Sequence, residues 1–146
     1  MSGPNFRTKL VLEEHMRGAR SVPGEWVLHF PLIYDSFRGP ITVPRGFVTD
    51  LASIPQIVRN LLDVNDAHRR AAVLHDYGYV MQFLTRKETD DMFLEAMEVC
   101  GVPAWKRYLM YSAVRTGGWI YWNIRSKTLV QQGSDFVSSD YFDEHP

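Results

Sequence analysis

The chain has 146 residues, enough for one domain with a real core. Hydrophobic residues make up 45% and charged residues 23%, which places it among ordinary globular chains. A formal net charge of -1 provides no global field favouring nucleic acid. The single cysteine, Cys100, excludes an intrachain disulfide and fits a reducing compartment or a fold needing no staple. No apolar run approaches the ~20 residues that span a bilayer. The opening MSGPNFRTK lacks the apolar stretch of a signal peptide, so ordinary export is not expected.

Strand patterns fill the front of the chain. FRTKLVLEEH mixes alternation with a short apolar run and reads as a strand. WVLHFPLIYD is strand-like, with Pro31 expected at an edge or bulge. PITVPRGFVTD reads as a third strand, broken by Pro44-Arg45-Gly46. Short connections between these runs imply antiparallel pairing.

Helix patterns follow Asp50. SIPQ is a capping box, with Ser53 as N-cap, Gln56 reaching back, and Pro55 in the first turn. That helix is expected through QIVRNLL. A second is expected from about Asn65 or Asp66 through AHRRAAVLHDYGYVM. A third has its own box, Thr85 with Glu88, and should stop at Gly101-Val102-Pro103. A fourth runs through AWKRYLMYSAVRTGGWIYW, where Gly117-Gly118 is expected to loosen or kink it. The expected architecture is α+β: a small, mainly antiparallel N-terminal sheet against three or four C-terminal helices, all within residues 1–127. Residues 128–146 read as a polar, acidic arm with no core of its own.

Chemistry concentrates at the strand-to-helix junction and on the helices after it. With Ser53 capping, Asp50 is spared for other work, or closes an Asx-turn on its own backbone. On a helix, His75 shares the small, apolar face of Ala71 and Gly78, which should pack inward. Asp76 lies about 100° further round. Asp90 falls on the core stripe of Phe93 and Met97, while Asp91 points elsewhere. An inward carboxylate is costly without a cation, a metal or several donors, so Asp90 needs a partner such as His75 or Arg115.

Asp50, His75 and Asp90, with Asp76 as a possible fourth, therefore form the candidate site. One histidine with two or three carboxylates suits a divalent metal such as Mg²⁺, Mn²⁺ or Zn²⁺, which could activate water for hydrolysis. The doublet His75-Asp76 also resembles that of metal-dependent phosphohydrolases with a His…His-Asp…Asp order. The upstream histidine would then be His29 or His68, and neither placement fits that helical family. A metal-free Asp–His–Asp network holding strands to helices is the competing reading. Ser53 as a nucleophile is weaker, since no G-x-S-x-G elbow is present.

Three ordered motifs, VPRGFVTDLASIP, AAVLHDYGY and RKETDDMF, resemble a phage-associated family of uncharacterised small proteins. Its pattern is G-F-x-T-D-x-A-S-x-P, A-x-x-H-D-x-x-Y and R-x-x-A-D. The likeness spans residues 43 to 94, with MYSAVRTGG after it. The motif positions here are Thr49, Asp50, Ser53, Pro55, His75, Asp76, Tyr79, Arg86 and Asp90, with Thr89 where the family has alanine. The resemblance implies a bacteriophage origin and a place in the host cytoplasm during infection, or in the virion.

Two function classes lead from the sequence. One is a metal-dependent hydrolase acting on a cell-wall or nucleotide-type bond through Asp50, His75 and Asp90. The other is a non-catalytic virion or assembly protein. Its partners would be other phage structural proteins, or a second copy met through the aromatic C-terminal region around GGWIYWN. A small inhibitor of a host protein is a third, weaker possibility. Neither membrane nor nucleic-acid partners are expected.

Overall fold

Antiparallel pairing organises everything before residue 50. The computed structural model describes residues 3–50, 68–127 and 135–146. Six strands come first: β1 (Asn5–Phe6), β2 (Leu12–Arg17), β3 (Arg20–Leu28), β4 (Leu32–Ser36), β5 (Gly39–Val43) and β6 (Val48–Thr49). They build two three-stranded sheets, ordered β1-β4-β5 and β2-β3-β6. The hairpin between β2 and β3 turns on Gly18-Ala19, with Arg17 opposite Arg20 and positive φ at Gly18. That is the II′ pattern, whose twist matches the flanking strands.

The two-sheet arrangement refines the single sheet expected from the sequence. WVLHFPLIYD is not one strand, because Pro31 separates β3 from β4 and the halves join different sheets. PITVPRGFVTD likewise divides into β5 and β6. Pro44 cannot donate to a ladder, and Gly46 takes φ +93, so the chain turns there and leaves one sheet for the other.

Among the described residues after Asp50 there are four helices: α1 (Arg69–Met81), α2 (Arg86–Val99), α3 (Ala104–Lys127) and the short α4 (Tyr141–Glu144). The Ser53 capping box and the QIVRNLL helix lie outside the described residues. The second box forms as expected, with Glu88 N–H donating to Thr85 Oγ1 at 3.1 Å and Thr85 N–H to Glu88 Oε1 at 3.1 Å. The predicted stop is a Schellman motif. Val102 N–H reaches Met97 O and Gly101 N–H reaches Glu98 O, both at 3.0 Å, with Gly101 left-handed at φ +79.

At Gly117-Gly118, where loosening or a kink is expected from the sequence, α3 stays helical through both glycines. Gly118 has a packing role instead, since a Cβ there would stand 2.5 Å from Tyr79 Oη. Gly78 does the same for the α1–α2 contact, where a Cβ would meet Thr89 Cγ2 at 2.6 Å. Small residues at these crossings bring the three helices close enough for their polar groups to meet.

The main core joins Leu28, Leu32, Tyr34, Val43 and Phe47 of the strand region to Leu74, Phe93, Met97 and Met110 of the helices. A smaller cluster of Val27, Val48 and Tyr141 lies on the other sheet. The described end of the chain packs there. Phe136 bridges Phe47, and Val48 N–H donates to Asp135 O at 2.8 Å. The buried Tyr141 hydroxyl accepts from Met16 N–H at 2.7 Å and donates to Glu14 O at 3.1 Å.

Candidate functional site: a buried aspartate hub beside an acidic pocket

Asp90 sits on the first turns of α2 and is fully buried. Its Oδ1 meets His75 Nε2 at 2.7 Å and accepts from Tyr79 Oη at 2.8 Å. Its Oδ2 accepts from Arg115 Nη1 at 2.8 Å and, more weakly, Arg86 Nη1 at 3.4 Å. Four donors surround two oxygens, so one side chain ties α1, α2 and α3 together. Burial pushes the Asp90 carboxyl upward, but the donors from His75, Tyr79 and Arg115 outweigh it and hold the pKa below its ordinary value.

His75 is also fully buried, its ring 4.4 Å from that of Tyr79 and 4.5 Å from that of Phe93. Burial lowers its pKa, and the hydrogen bond and charge of Asp90 only partly oppose this. The pair is therefore a neutral imidazole donating Nε2–H to a carboxylate. Arg86 completes the hub by also donating to the Val114 and Arg115 carbonyls at 3.1 and 3.3 Å, which clamps the start of α2 to α3.

Asp76 follows His75 in sequence but faces another way. It is 1% exposed, and its Oδ2 accepts from Thr49 Oγ1 at 2.6 Å. Its Oδ1 is buried without a hydrogen-bond partner among the described residues. Burial is the main reason its pKa is pushed up to about 7. Asp50 and Asp135 add to the rise, while the Thr49 hydrogen bond and Arg125 oppose it.

Asp76 lines a cavity of about 230 Å³ together with Glu25, Asp50, Tyr121, Arg125 and Asp135. Asp50, at the end of β6, is exposed. Arg125 is paired with Asp135 through Nη2 and Oδ2. The structure thus joins His75 to Asp90 and sets Asp50 and Asp76 together at the pocket. Among the described residues, no three His, Cys, Asp or Glu side chains are grouped so as to hold a metal ion. Both Asp90 oxygens are occupied by donors, whereas Asp76 Oδ1 lacks one among the described residues.

Glu25, Tyr121, Arg125 and Asp135 escaped the sequence reading. They come from β3, α3 and the chain segment before α4, and no local spacing connects them. The acidic character of the C-terminal stretch was visible, but not that Asp135 would reach Arg125.

These features define a class: an α+β domain with a saturated aspartate hub in its helical layer and an acidic pocket alongside. The chain belongs to the protein family of unknown function DUF1353, whose family model matches residues 26–114. It is also 36% identical over 89 residues to the uncharacterized protein y4jT of Sinorhizobium fredii (strain NBRC 101917 / NGR234). The match covers 60% of this chain and 26% of that protein, so the chain spans about a quarter of its curated relative. No solved structure matches the chain. No described helix is long and apolar enough to cross a membrane.

Proposed function

We propose that the chain is a hydrolase whose working centre is the Asp50–Asp76 pocket, acting on a cell-wall or nucleotide-type bond. The observation that carries this reading is Asp76, a buried carboxyl poised to titrate near neutrality with one oxygen left for the pocket. Such a group is a general acid at pH 7. In the reaction, water attacks the electrophilic centre and its oxygen bonds there. The bond to the leaving group breaks, the Asp76 proton goes to the leaving atom, and the Asp50 carboxylate takes the proton of the water. His75 and Asp90 are positioning residues in this scheme: their bond sets the rotation of α1 and so directs the neighbouring Asp76.

In the metal-dependent form of the reading, Asp50 and Asp76 would be the residues that hold Mg²⁺, Mn²⁺ or Zn²⁺. Asp76 would then be held as a carboxylate and the metal would activate the water. Metal analysis of the purified chain beside Asp50→Ala separates the two forms. The test of hydrolysis itself is turnover of peptidoglycan fragments and of an activated phosphodiester. Asp76→Asn should reduce the rate roughly 10²–10⁴-fold, the usual reach of general acid catalysis. An Asp76→Asn protein as active as the parent would defeat the proposal.

A second reading, a non-catalytic virion or assembly component of a phage, draws on a different observation. One side of α3 leaves Trp105, Leu109, Trp119 and Ile120 exposed by 46–70%, and Leu109 and Ile120 are three turns apart on one stripe. Light scattering after size exclusion, with Trp119→Ser and Ile120→Ser as controls, shows whether that side joins copies of the chain.

A further inference from the structure

α3 turns an uncharged stripe away from its own domain. Its buried residues Met110, Val114 and Gly118 mark one side. On the opposite side lie Trp105, Leu109, Ser112, Thr116, Trp119 and Asn123, spaced alternately four and three residues apart. That spacing keeps one direction along the helix for about five turns, roughly 27 Å. Trp105, Leu109 and Trp119, with Tyr108 and Ile120 beside them, are each about half exposed or more. The small, exposed Ser112 and Thr116 hold the middle.

Charge and area both bear on what covers this stripe. α3 carries five cations and no acid, yet three of the cations turn back into the fold. Arg107 Nη1 donates to Val102 O at 3.0 Å, Arg115 Nη1 to Asp90 Oδ2 at 2.8 Å, and Arg125 pairs with Asp135. Lys106 and Lys127 stay near the two ends. The stripe between them thus lacks the cations with which a membrane-bound helix meets lipid headgroups, and it lacks charge that would hold two copies apart. With about 150–250 Å² for each aromatic side chain, the stripe exposes roughly 500–600 Å² per copy. Two stripes face to face would remove roughly 1,000–1,200 Å² from water, the low end of specific interfaces.

We propose that α3 pairs with α3 of a second copy, antiparallel, about a two-fold axis between Ser112 and Thr116. This pairing rests on the assembly reading and gives it a partner and a geometry. Residues equally far from the axis meet. Leu109 of each copy faces Trp119 of the other, Tyr108 faces Ile120, and Ser112 faces Thr116. Apolar therefore meets apolar and hydroxyl meets hydroxyl. At each end the Trp105 indole N–H reaches the Asn123 carbonyl, an acceptor it needs once covered. The small central residues let the helices approach to about 8 Å, and the alternating spacing is that of helices crossing at about 20°. A parallel pair would instead stack Trp105 on Trp105 and Trp119 on Trp119, with the helix dipoles aligned. Because the same face is used twice, the contact closes as a dimer and does not grow into a filament.

Sedimentation of the full chain over a dilution series tests the pairing. The expected result is a monomer–dimer equilibrium with Kd on the order of 10–100 µM, as a small interface allows. Leu109→Glu and Trp119→Lys should each weaken it roughly ten-fold or more, with the fold intact by circular dichroism. Carried together in one chain, they should recover most of that loss, because each new carboxylate then faces an ammonium of the other copy. In a parallel pair like charges would face each other, and the double variant would be the weakest. Spin labels on Lys127→Cys, in a Cys100→Ser background, should lie about 40 Å apart, where a parallel pair sets them within about 20 Å. A monomer at every concentration, a dimer untouched by Leu109→Glu, or closely spaced labels overturns the pairing. So does binding of the monomer to phosphatidylglycerol vesicles that Trp119→Lys abolishes. The outcomes also separate the pairing from the assembly reading. A monomer without hydrolytic turnover loses the pairing and leaves that reading standing. An antiparallel dimer with Asp76-dependent turnover keeps the pairing and loses the reading of a non-catalytic component.

Discussion

His75 and Asp76 are consecutive on α1, yet their side chains serve opposite neighbours. His75 Nε2 lies 2.7 Å from Asp90 in the helical layer, while Asp76 Oδ2 accepts from Thr49 on the strand side. The separation is a consequence of helical geometry, since adjacent residues diverge by about 100°. One turn of helix therefore links a saturated hub to a pocket whose acid is incompletely satisfied.

The hub should behave as structure in any denaturation experiment. Asp90→Ala removes the acceptor shared by His75, Tyr79, Arg86 and Arg115 and leaves buried donors unpaired. Loss of one partner from a buried charged network costs about 3–5 kcal/mol. Urea unfolding of Asp90→Ala should show that drop, and a change below about 1 kcal/mol would contradict the hub as described.

Asp76 makes a signed prediction for pH. Its folded pKa, about 7, lies above the ordinary 3.8 expected of the unfolded chain. Between those values the folded state holds more protons than the unfolded state, so stability declines as pH rises from about 4 to 7 and then levels. The full shift corresponds to at most about 4 kcal/mol. Asp76→Asn keeps an acceptor for Thr49 without the charge. It should flatten this part of the pH profile and be more stable than the parent at pH 8. Parallel profiles for the two proteins would mean that Asp76 is not the group responsible.

Gly118 allows α3 to pass close to Tyr79. A Cβ placed there would be 2.5 Å from the Tyr79 hydroxyl, which in turn bonds Asp90. Gly118→Ala gains helix propensity on an exposed helix, but here it must displace the tyrosine. Overpacking of this kind costs about 1–3 kcal/mol. Thermal melts should show a lower Tm for Gly118→Ala, and a higher one would show that Tyr79 can move aside without loss.

Local physics was legible in the sequence wherever one short stretch contains both partners. The Thr85–Glu88 box and the Gly101 stop were readable because each interaction closes within a few residues. The inward direction of Asp90 followed from its place on the Phe93–Met97 stripe, and His75 and Arg115 are both among its partners. The α+β class likewise follows from alternation before Asp50 and helical spacing after it.

Tertiary structure alone decided the rest. Two sheets exist because Pro31 and the Pro44–Gly46 turn send neighbouring strands to different ladders, a choice made by the available edges and not by strand propensity. The pocket exists because β3, β6, α1, α3 and the chain before α4 meet there, bringing Glu25 and Asp135 to Asp76 from far along the chain. Periodicity tells which face of an element is turned inward. It carries no information about which distant residue waits there, because that contact is set by the packing of whole elements.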